Sequence, residues 1–146
     1  MTKKQKQKYN FTLGHRIEDI ARLEHIIKEL AQLWDIDEKS LFQLNLILEE
    51  LISNTMFYGF KDMENGRVDV ELFFDGKHIH VDIHDDARAF DPTKHDHDPS
   101  GHDLDERDIG GLGLLLTRQI SEDLNYRYEE GKNKLHLKIN TERNAV

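Results

Sequence analysis

The sequence predicts a two-layer α+β sandwich, in which a mostly antiparallel sheet is packed by helices. Two segments with the helical spacing of apolar residues follow each other near the start of the chain. Runs of alternating apolar residues, joined by tight-turn signals, come later. The regular alternation of strands and helices that a parallel sheet requires is absent. The chain has 146 residues, which suffices for one domain with its own core.

The first residues predict a tail and a short edge strand. Residues 1–8 are polar and contain four lysines, so we expect a disordered basic tail. Residues 9–146 then form a single domain. Tyr9, Phe11 and Leu13 alternate with polar residues, which indicates a strand at a sheet edge.

Two helices are predicted next. The first covers residues 17–34, and its apolar positions are Ile20, Leu23, Ile27, Leu30, Ala31 and Trp34. Asp37 is a plausible N-cap for the second helix, which ends near Gly59. On this second helix an apolar stripe is formed by Leu44, Leu48, Leu51 and Thr55.

The second half of the chain predicts two pairs of strands around a long loop. Asp75-Gly76 separates two alternating runs and so indicates a hairpin. A polar segment, residues 91–109, contains both prolines and is predicted to be a functional lid. A short helix over residues 114–122 follows. A strand through Leu124, Tyr126 and Tyr128, a turn at residues 130–133 and a final strand complete the chain.

Composition excludes several classes of protein. The net charge of −9 argues against a nucleic-acid-binding protein, which needs clustered Lys and Arg. The chain has no cysteine and therefore no disulfide or cysteine-ligated zinc. Because no apolar run approaches transmembrane length and no signal peptide is visible, we expect a cytoplasmic protein with no membrane contact.

Glu50 and Asn54 are the first candidate site residues. They are four residues apart on the second predicted helix and are therefore neighbours on its surface. A carboxamide oxygen can hold a hard cation, and a carboxylate can accept a proton from a hydroxyl. The alternative is that both side chains simply face solvent.

Two further stretches add to this pair. Asp85 lies at a predicted strand end, where a carboxylate can accept a hydrogen bond from an exocyclic amine, and Phe90 can help to wall a planar ring. Glycines that open a helix allow backbone N–H groups to approach phosphate oxygens, although such glycines also form plain turns. The residues of this third stretch are Gly110, Gly111, Leu112, Gly113 and Leu114.

With these three stretches in order, the sequence resembles the anti-sigma-factor serine/threonine protein kinases, which have the histidine-kinase-like ATPase (Bergerat) fold. The Glu-x-x-x-Asn motif of the family falls on Glu50 and Asn54, which implies a general base and a Mg²⁺ ligand. Its Asp-x-Gly-x-x-Phe motif falls on Asp85, Ala87 and Phe90, which implies a contact of Asp85 with adenine.

The resemblance also implies ligands and partners. The glycine-rich stretch at residues 110–114 would contact the triphosphate of ATP. The family phosphorylates a serine on a small anti-anti-sigma (STAS-type) protein and holds a sigma factor, so either partner is expected. A homodimer is implied as well.

The chain departs from the family pattern at one motif position. Ala87 stands where the family has a glycine. An alanine would be strained if the position needs a positive φ, and its methyl group would crowd a ligand that approaches closely, so we expect weakened or adjusted ATP binding. Tyr58 stands where many relatives carry a histidine. Arg22 falls where the family has an arginine used in partner contact, although a solvated arginine fits equally well.

Two other functions stay open from the sequence. The chain could be a non-catalytic module in which nucleotide only sets the shape of the lid. It could also bind metal through a His/Asp-rich tract in the lid, formed by His95, Asp96, His97, Asp98, His102 and Asp103. A further group of His78, His80, Asp82 and His84 shares one face of a predicted strand and is expected to face solvent or an interface.

Overall fold

A computed structural model describes residues 7–61, 63, 65–94 and 113–144. The strands are β1 (Gln7–Leu13), β2 (Val68–Phe74), β3 (His78–Asp85), β4 (Glu122–Glu129) and β5 (Lys132–Asn140). The helices are α1 (Arg22–Leu33), α2 (Glu38–Asn54) and α3, whose described part covers residues 113–120. Short helical turns precede α1 (Ile17–Ala21) and follow α2 (Thr55–Gly59) and β5 (Thr141–Asn144).

The described strands form one antiparallel sheet in the order β1-β2-β3-β5-β4. One face of the sheet carries the apolar side chains of the alternating runs, and these side chains are buried with the apolar stripes of α1 and α2. The predicted α+β sandwich with helices on an antiparallel sheet is therefore confirmed. In the described part of the chain, no helix is long and apolar enough to cross a membrane.

Local sequence signals explain the start of α2 and the turn of the β2–β3 hairpin. Asp37 caps α2, because its carboxylate accepts a hydrogen bond from the Ser40 backbone N–H at 3.0 Å. Gly76 has a φ of +96°, which a glycine adopts without strain, and it connects β2 to β3 as predicted.

Some element boundaries differ from the prediction. Gln7 and Lys8 pair with β2, so these two residues of the predicted tail belong to the sheet. Residues 1–6 lie outside the described part. The first helix begins with a 3₁₀ turn, and along α1 Ile26 is buried while Ala31 is exposed. Glu122 begins β4 rather than ending α3.

The turn between β4 and β5 is shorter than predicted. Glu130 and Gly131 have φ angles of +55° and +75°, which is the pattern of a two-residue hairpin turn. Lys132 and Asn133 therefore lie in β5, where Asn133 pairs with Tyr128 on one side and with Asp85 on the other. This register brings Asn133 to the end of the strand that carries Asp85.

Candidate active site

Glu50 and Asn54 meet at the C-terminal end of α2. The Asn54 Nδ2 donates a hydrogen bond to Glu50 Oε2 at 2.9 Å, and both residues are half-buried. The expectation that they are neighbours holds, and Glu50 is not simply solvated. Burial raises the pKa of Glu50, although the hydrogen bond from Asn54 partly opposes that shift. A carboxylate with a raised pKa is a better proton acceptor than an exposed one.

Gly113 lies directly against the Glu50 side chain. A Cβ atom placed on Gly113 would be 2.0 Å from both Cδ and Oε1 of Glu50. Only glycine permits so close an approach between this part of α3 and the end of α2. Leu114 is buried in the core, so its side chain anchors α3, and only its backbone is available to a ligand. Gly110, Gly111 and Leu112 lie outside the described residues, so their predicted contacts stay predictions.

Asp85 ends β3 and is almost fully buried. Its Oδ1 accepts hydrogen bonds from the Ala87 backbone N–H at 3.0 Å and from Asn133 Nδ2 at 2.8 Å. Burial raises the pKa of Asp85, and these two hydrogen bonds partly offset the shift. Within the described residues no donor reaches Oδ2, so this oxygen can accept a hydrogen bond from a ligand.

Ala87 occupies its position without backbone strain. Its φ is negative, because Asp123 and Glu130 are the non-glycine residues with positive φ in the described ranges. The Ala87 side chain is buried and packs against Gly59, where an added Cβ would lie 2.7 Å from the Ala87 Cβ. The Arg88 backbone N–H also donates to the Gly59 carbonyl oxygen at 3.3 Å. The positive φ at which an alanine would be strained is therefore absent, and the Ala87 methyl group helps to join the loop to the end of α2.

Asn133 holds the loop that follows Asp85, and sequence reasoning missed it. Besides Asp85, its Nδ2 contacts the carbonyl oxygens of Ala87 at 3.2 Å and Arg88 at 2.9 Å. Its Oδ1 accepts from the Phe90 N–H at 3.1 Å and from the Tyr126 hydroxyl. The sequence offered no signal for this role, because asparagine is common in turns and Asn133 was predicted to lie in one.

The loop reaches Phe90 and Asp91 before the described segment ends. The Phe90 ring is 41% exposed, as suits a residue that could wall a ligand, while its backbone is held by Asn133. Asp91 Oδ1 accepts from the Thr93 N–H at 2.9 Å and forms a turn at the start of the predicted lid. The rest of that lid, including its His/Asp tract, lies outside the described residues.

Three histidines of the sheet are paired with carboxylates. His78 lies 3.1 Å from Glu122, and His80 lies 2.9 Å from Asp75. A third pair, between His136 and Asp82, spans 3.0 Å. Among the residues that the structure describes, no three acidic or histidine side chains are grouped to hold a metal ion.

The two residues matched to the family outside its main motifs are exposed. Arg22 donates from Nη1 to the Thr12 carbonyl oxygen at 2.9 Å and so connects α1 to β1. Tyr58 lies in the helical turn after α2, with its ring 6.4 Å from that of Phe57. The hydrogen bond of Arg22 gives it a structural role that a freely solvated arginine would lack.

Comparisons with known proteins agree with this arrangement. A family model described as "Histidine kinase-like ATPase domain" matches residues 14–139. Serine-protein kinase RsbW of Listeria monocytogenes serovar 1/2a is 32% identical over 92 residues, which are 60% of this chain and 59% of that protein. Serine/threonine-protein kinase BtrW of Bordetella bronchiseptica is 30% identical over 115 residues, which are 79% of this chain and 78% of that protein.

These matches identify the family. The matched segment spans only 59% of the length of the Listeria relative, whereas it spans 78% of BtrW. The family model covers all of the described site residues, from Glu50 to Asn133. The chain therefore belongs to the histidine kinase-like ATPase family.

Proposed function

We propose that this protein is an ATP-dependent protein serine/threonine kinase that acts on an anti-anti-sigma-like partner and so controls transcription by partner switching. The observation that carries the proposal is the Glu50–Asn54 pair packed against Gly113. It combines a proton acceptor, an amide oxygen and a glycine of α3 within one small region. These are the groups that phosphoryl transfer to a hydroxyl requires.

Glu50 is the proposed general base. Its partly buried carboxylate would take the proton from the partner's serine hydroxyl as the serine oxygen attacks the γ-phosphorus of ATP and ADP leaves. The hydrogen bond from Asn54 holds the carboxylate in place. Because the pKa of Glu50 is raised, it lies closer to the operating pH than that of an exposed glutamate, which favours proton transfer.

Asn54 fits the role of Mg²⁺ ligand. Its Nδ2 is bonded to Glu50, which leaves Oδ1 as a hard oxygen donor with no protein partner in the described ranges. Mg²⁺ in nucleotide sites commonly takes few protein oxygens, with water and phosphate completing the shell. When bound, the ion would neutralise part of the phosphate charge.

Asp85 is the proposed acceptor for the exocyclic amine of adenine. Its Oδ2 is available for that hydrogen bond, and Phe90, exposed on the same loop, would cover the ring. Since the Ala87 methyl packs against Gly59, the substitution in this motif is compatible with a bound base. The described part of the glycine-rich segment, from Gly113, would face the phosphates.

The partners proposed from the family are a STAS-type anti-anti-sigma protein, which would supply the serine, and a sigma factor. The names of the relatives mention serine or threonine kinase activity, and they support only that part of the proposal. A homodimer acting in the cytoplasm is part of the same proposal.

The deciding experiment is transfer of labelled γ-phosphate from ATP to a STAS-type protein of the same organism. We expect label on one serine, dependent on Mg²⁺, and loss of label in Glu50→Ala. Label that persists in Glu50→Ala would remove Glu50 as the base. ATP-dependent capture of the partner without label would instead support the non-catalytic module.

A further inference from the structure

Asn133 and Tyr126 connect the last hairpin to the loop of Asp85 through a closed set of hydrogen bonds. Asn133 is 6% exposed, and every polar atom of its side chain has a partner. Its Nδ2 holds Asp85 Oδ1 and two loop carbonyl oxygens, and its Oδ1 holds the Phe90 N–H. Tyr126 adds a second acceptor for the Phe90 N–H, at 3.2 Å.

These contacts act on both parts of the proposed base pocket. A donor on Asp85 Oδ1 fixes the rotation of the carboxylate, so that Oδ2 stays available to a ligand, and it favours the ionised form. The acceptors for the Phe90 N–H fix the backbone from which the Phe90 ring projects. A polar network whose members are all paired is rigid, and removing Asn133 takes the side-chain donor away from the Ala87 and Arg88 carbonyl oxygens.

We propose that Asn133, supported by Tyr126, is a positioning residue that sets the preference of this site for adenine. The inference rests on the proposed function, because it assigns the specificity of the same pocket. Adenine presents an amine donor to Asp85 Oδ2, whereas a 6-oxo purine presents an acceptor that the carboxylate repels. This discrimination depends on a carboxylate that cannot rotate or shift away, which is what the Asn133 side chain ensures.

The test is calorimetric titration of ATP and of inosine triphosphate, which has the 6-oxo group, into the wild type, Asn133→Ala and Tyr126→Phe. We expect the wild type to prefer ATP, the ratio of the two affinities to fall about tenfold in Asn133→Ala, and a smaller fall in Tyr126→Phe. Tyr128→Phe is the matched control, because Tyr128 is on the same strand and half exposed. It should leave the ratio unchanged.

The ratio separates positioning from a merely structural role. A structural defect would weaken both nucleotides equally, and an unchanged ratio in folded Asn133→Ala would overturn the inference. If Asn133→Ala does not fold, Tyr126→Phe decides by the same criterion. Absence of ATP binding by the wild type would overturn the proposed function and this inference together, whereas ATP preference that survives in both variants would overturn this inference alone.

The pH profile gives a second readout. Asn133→Asp keeps the side-chain shape but places a second carboxylate beside Asp85, which already faces Asp86 and His84. Asp85 must be ionised to accept from adenine, and a neighbouring carboxylate raises its pKa. As the pH falls, Asn133→Asp should therefore lose ATP binding at a higher pH than the wild type does. Coincident profiles would contradict the assigned role.

Discussion

The Asp85 end and the Glu50 end of the candidate site are built in different ways. Asp85 is buried at a strand end and is held, with its loop, by the Asn133 side chain and backbone N–H groups. Glu50 is half-buried at a helix end, with one hydrogen bond from Asn54 and a close contact with Gly113. The contrast teaches that the proposed recognition half is rigid, while the proposed reactive half has freedom to adjust to a second substrate.

The largest effect should come from removing the basic oxygen at the reactive end. Glu50→Gln keeps the size of the side chain, so ATP affinity should be unchanged, while phosphate transfer to the partner should fall about 10²–10⁴-fold. Single-turnover transfer of labelled phosphate measures this. Glu49→Gln is the matched control, because Glu49 is the exposed neighbour on the same helix. A loss of ATP affinity in Glu50→Gln would break the division between the two ends.

Gly113→Ala should disturb the same end by steric means. The new methyl group would overlap the Glu50 carboxyl group, which must move by an ångström or more. Misplacement of a catalytic group by about 1 Å costs on the order of 10²-fold in rate, so we expect a loss of that size in phosphate transfer. Leu115→Ala, an exposed position on the same helix, should have little effect. A Gly113→Ala protein with full transfer activity would show that Glu50 is not needed in its present position.

Asp85→Asn tests the recognition end. Replacing one acceptor oxygen with an amide removes the charge that an adenine amine would contact, so ATP affinity should fall about 10–100-fold. Calorimetry measures the change, and Asp86→Asn is the adjacent control, since the exposed Asp86 side chain accepts from the Arg67 backbone N–H instead. Unchanged affinity in Asp85→Asn would remove the base contact from the proposal.

The pH dependence of ATP binding sharpens the same point. Because burial raises the pKa of Asp85, its carboxylate should become protonated at a higher pH than that of an ordinary aspartate. ATP binding should weaken over that range. In Asp85→Asn this part of the pH dependence should be absent, which titration at a series of pH values would reveal.

The smallest effect should come from Asp75, at the opposite end of β3. Burial acts to raise its pKa, but hydrogen bonds from the His78 and Lys77 N–H groups and from His80 lower it from 3.8 to about 2. The ionised group therefore stabilises the fold above pH 4, and that stability is lost as the pH falls towards 2. Asp75→Asn should lower the free energy of unfolding by about 1 kcal/mol at pH 7.

The difference between Asp75→Asn and the wild type should vanish below pH 2, which urea unfolding at several pH values would measure. A difference that is independent of pH would mean that the charge of Asp75 does not stabilise the hairpin. ATP affinity should not change in this variant, because Asp75 lies in the turn before β3, whereas Asp85 is the last residue of that strand.

The features that could be predicted from the sequence are those set by neighbours along the chain. The alternation of apolar and polar residues on both sides of Asp75-Gly76 predicted the β2–β3 hairpin, and the N-cap at Asp37 predicted the start of α2. The separation of four residues between Glu50 and Asn54 on one helix predicted their contact. Each depends on residues within a few positions of one another, where backbone geometry determines what can touch.

The features that were missed depend on the register between distant strands. Asn133 contacts Asp85 only because the two-residue turn at Glu130 and Gly131 sets the β4–β5 pairing, and β5 then pairs with β3. Nothing near Asn133 in the chain indicates this partner. The packing of the Ala87 methyl group against Gly59 was hidden for a similar reason, because the two residues are far apart in the chain.

The Asp85–Asn133 hydrogen bond has a consequence for how the chain folds. It joins residues 48 positions apart, so it cannot form until β5 has docked on β3, even though each hairpin can form by itself. The proposed binding pocket is therefore complete only in the fully assembled sheet, and partly folded chains should have no affinity for nucleotide. A bound nucleotide would then stabilise the completed fold alone, and its cellular concentration would set how long the chain survives against unfolding and proteolysis.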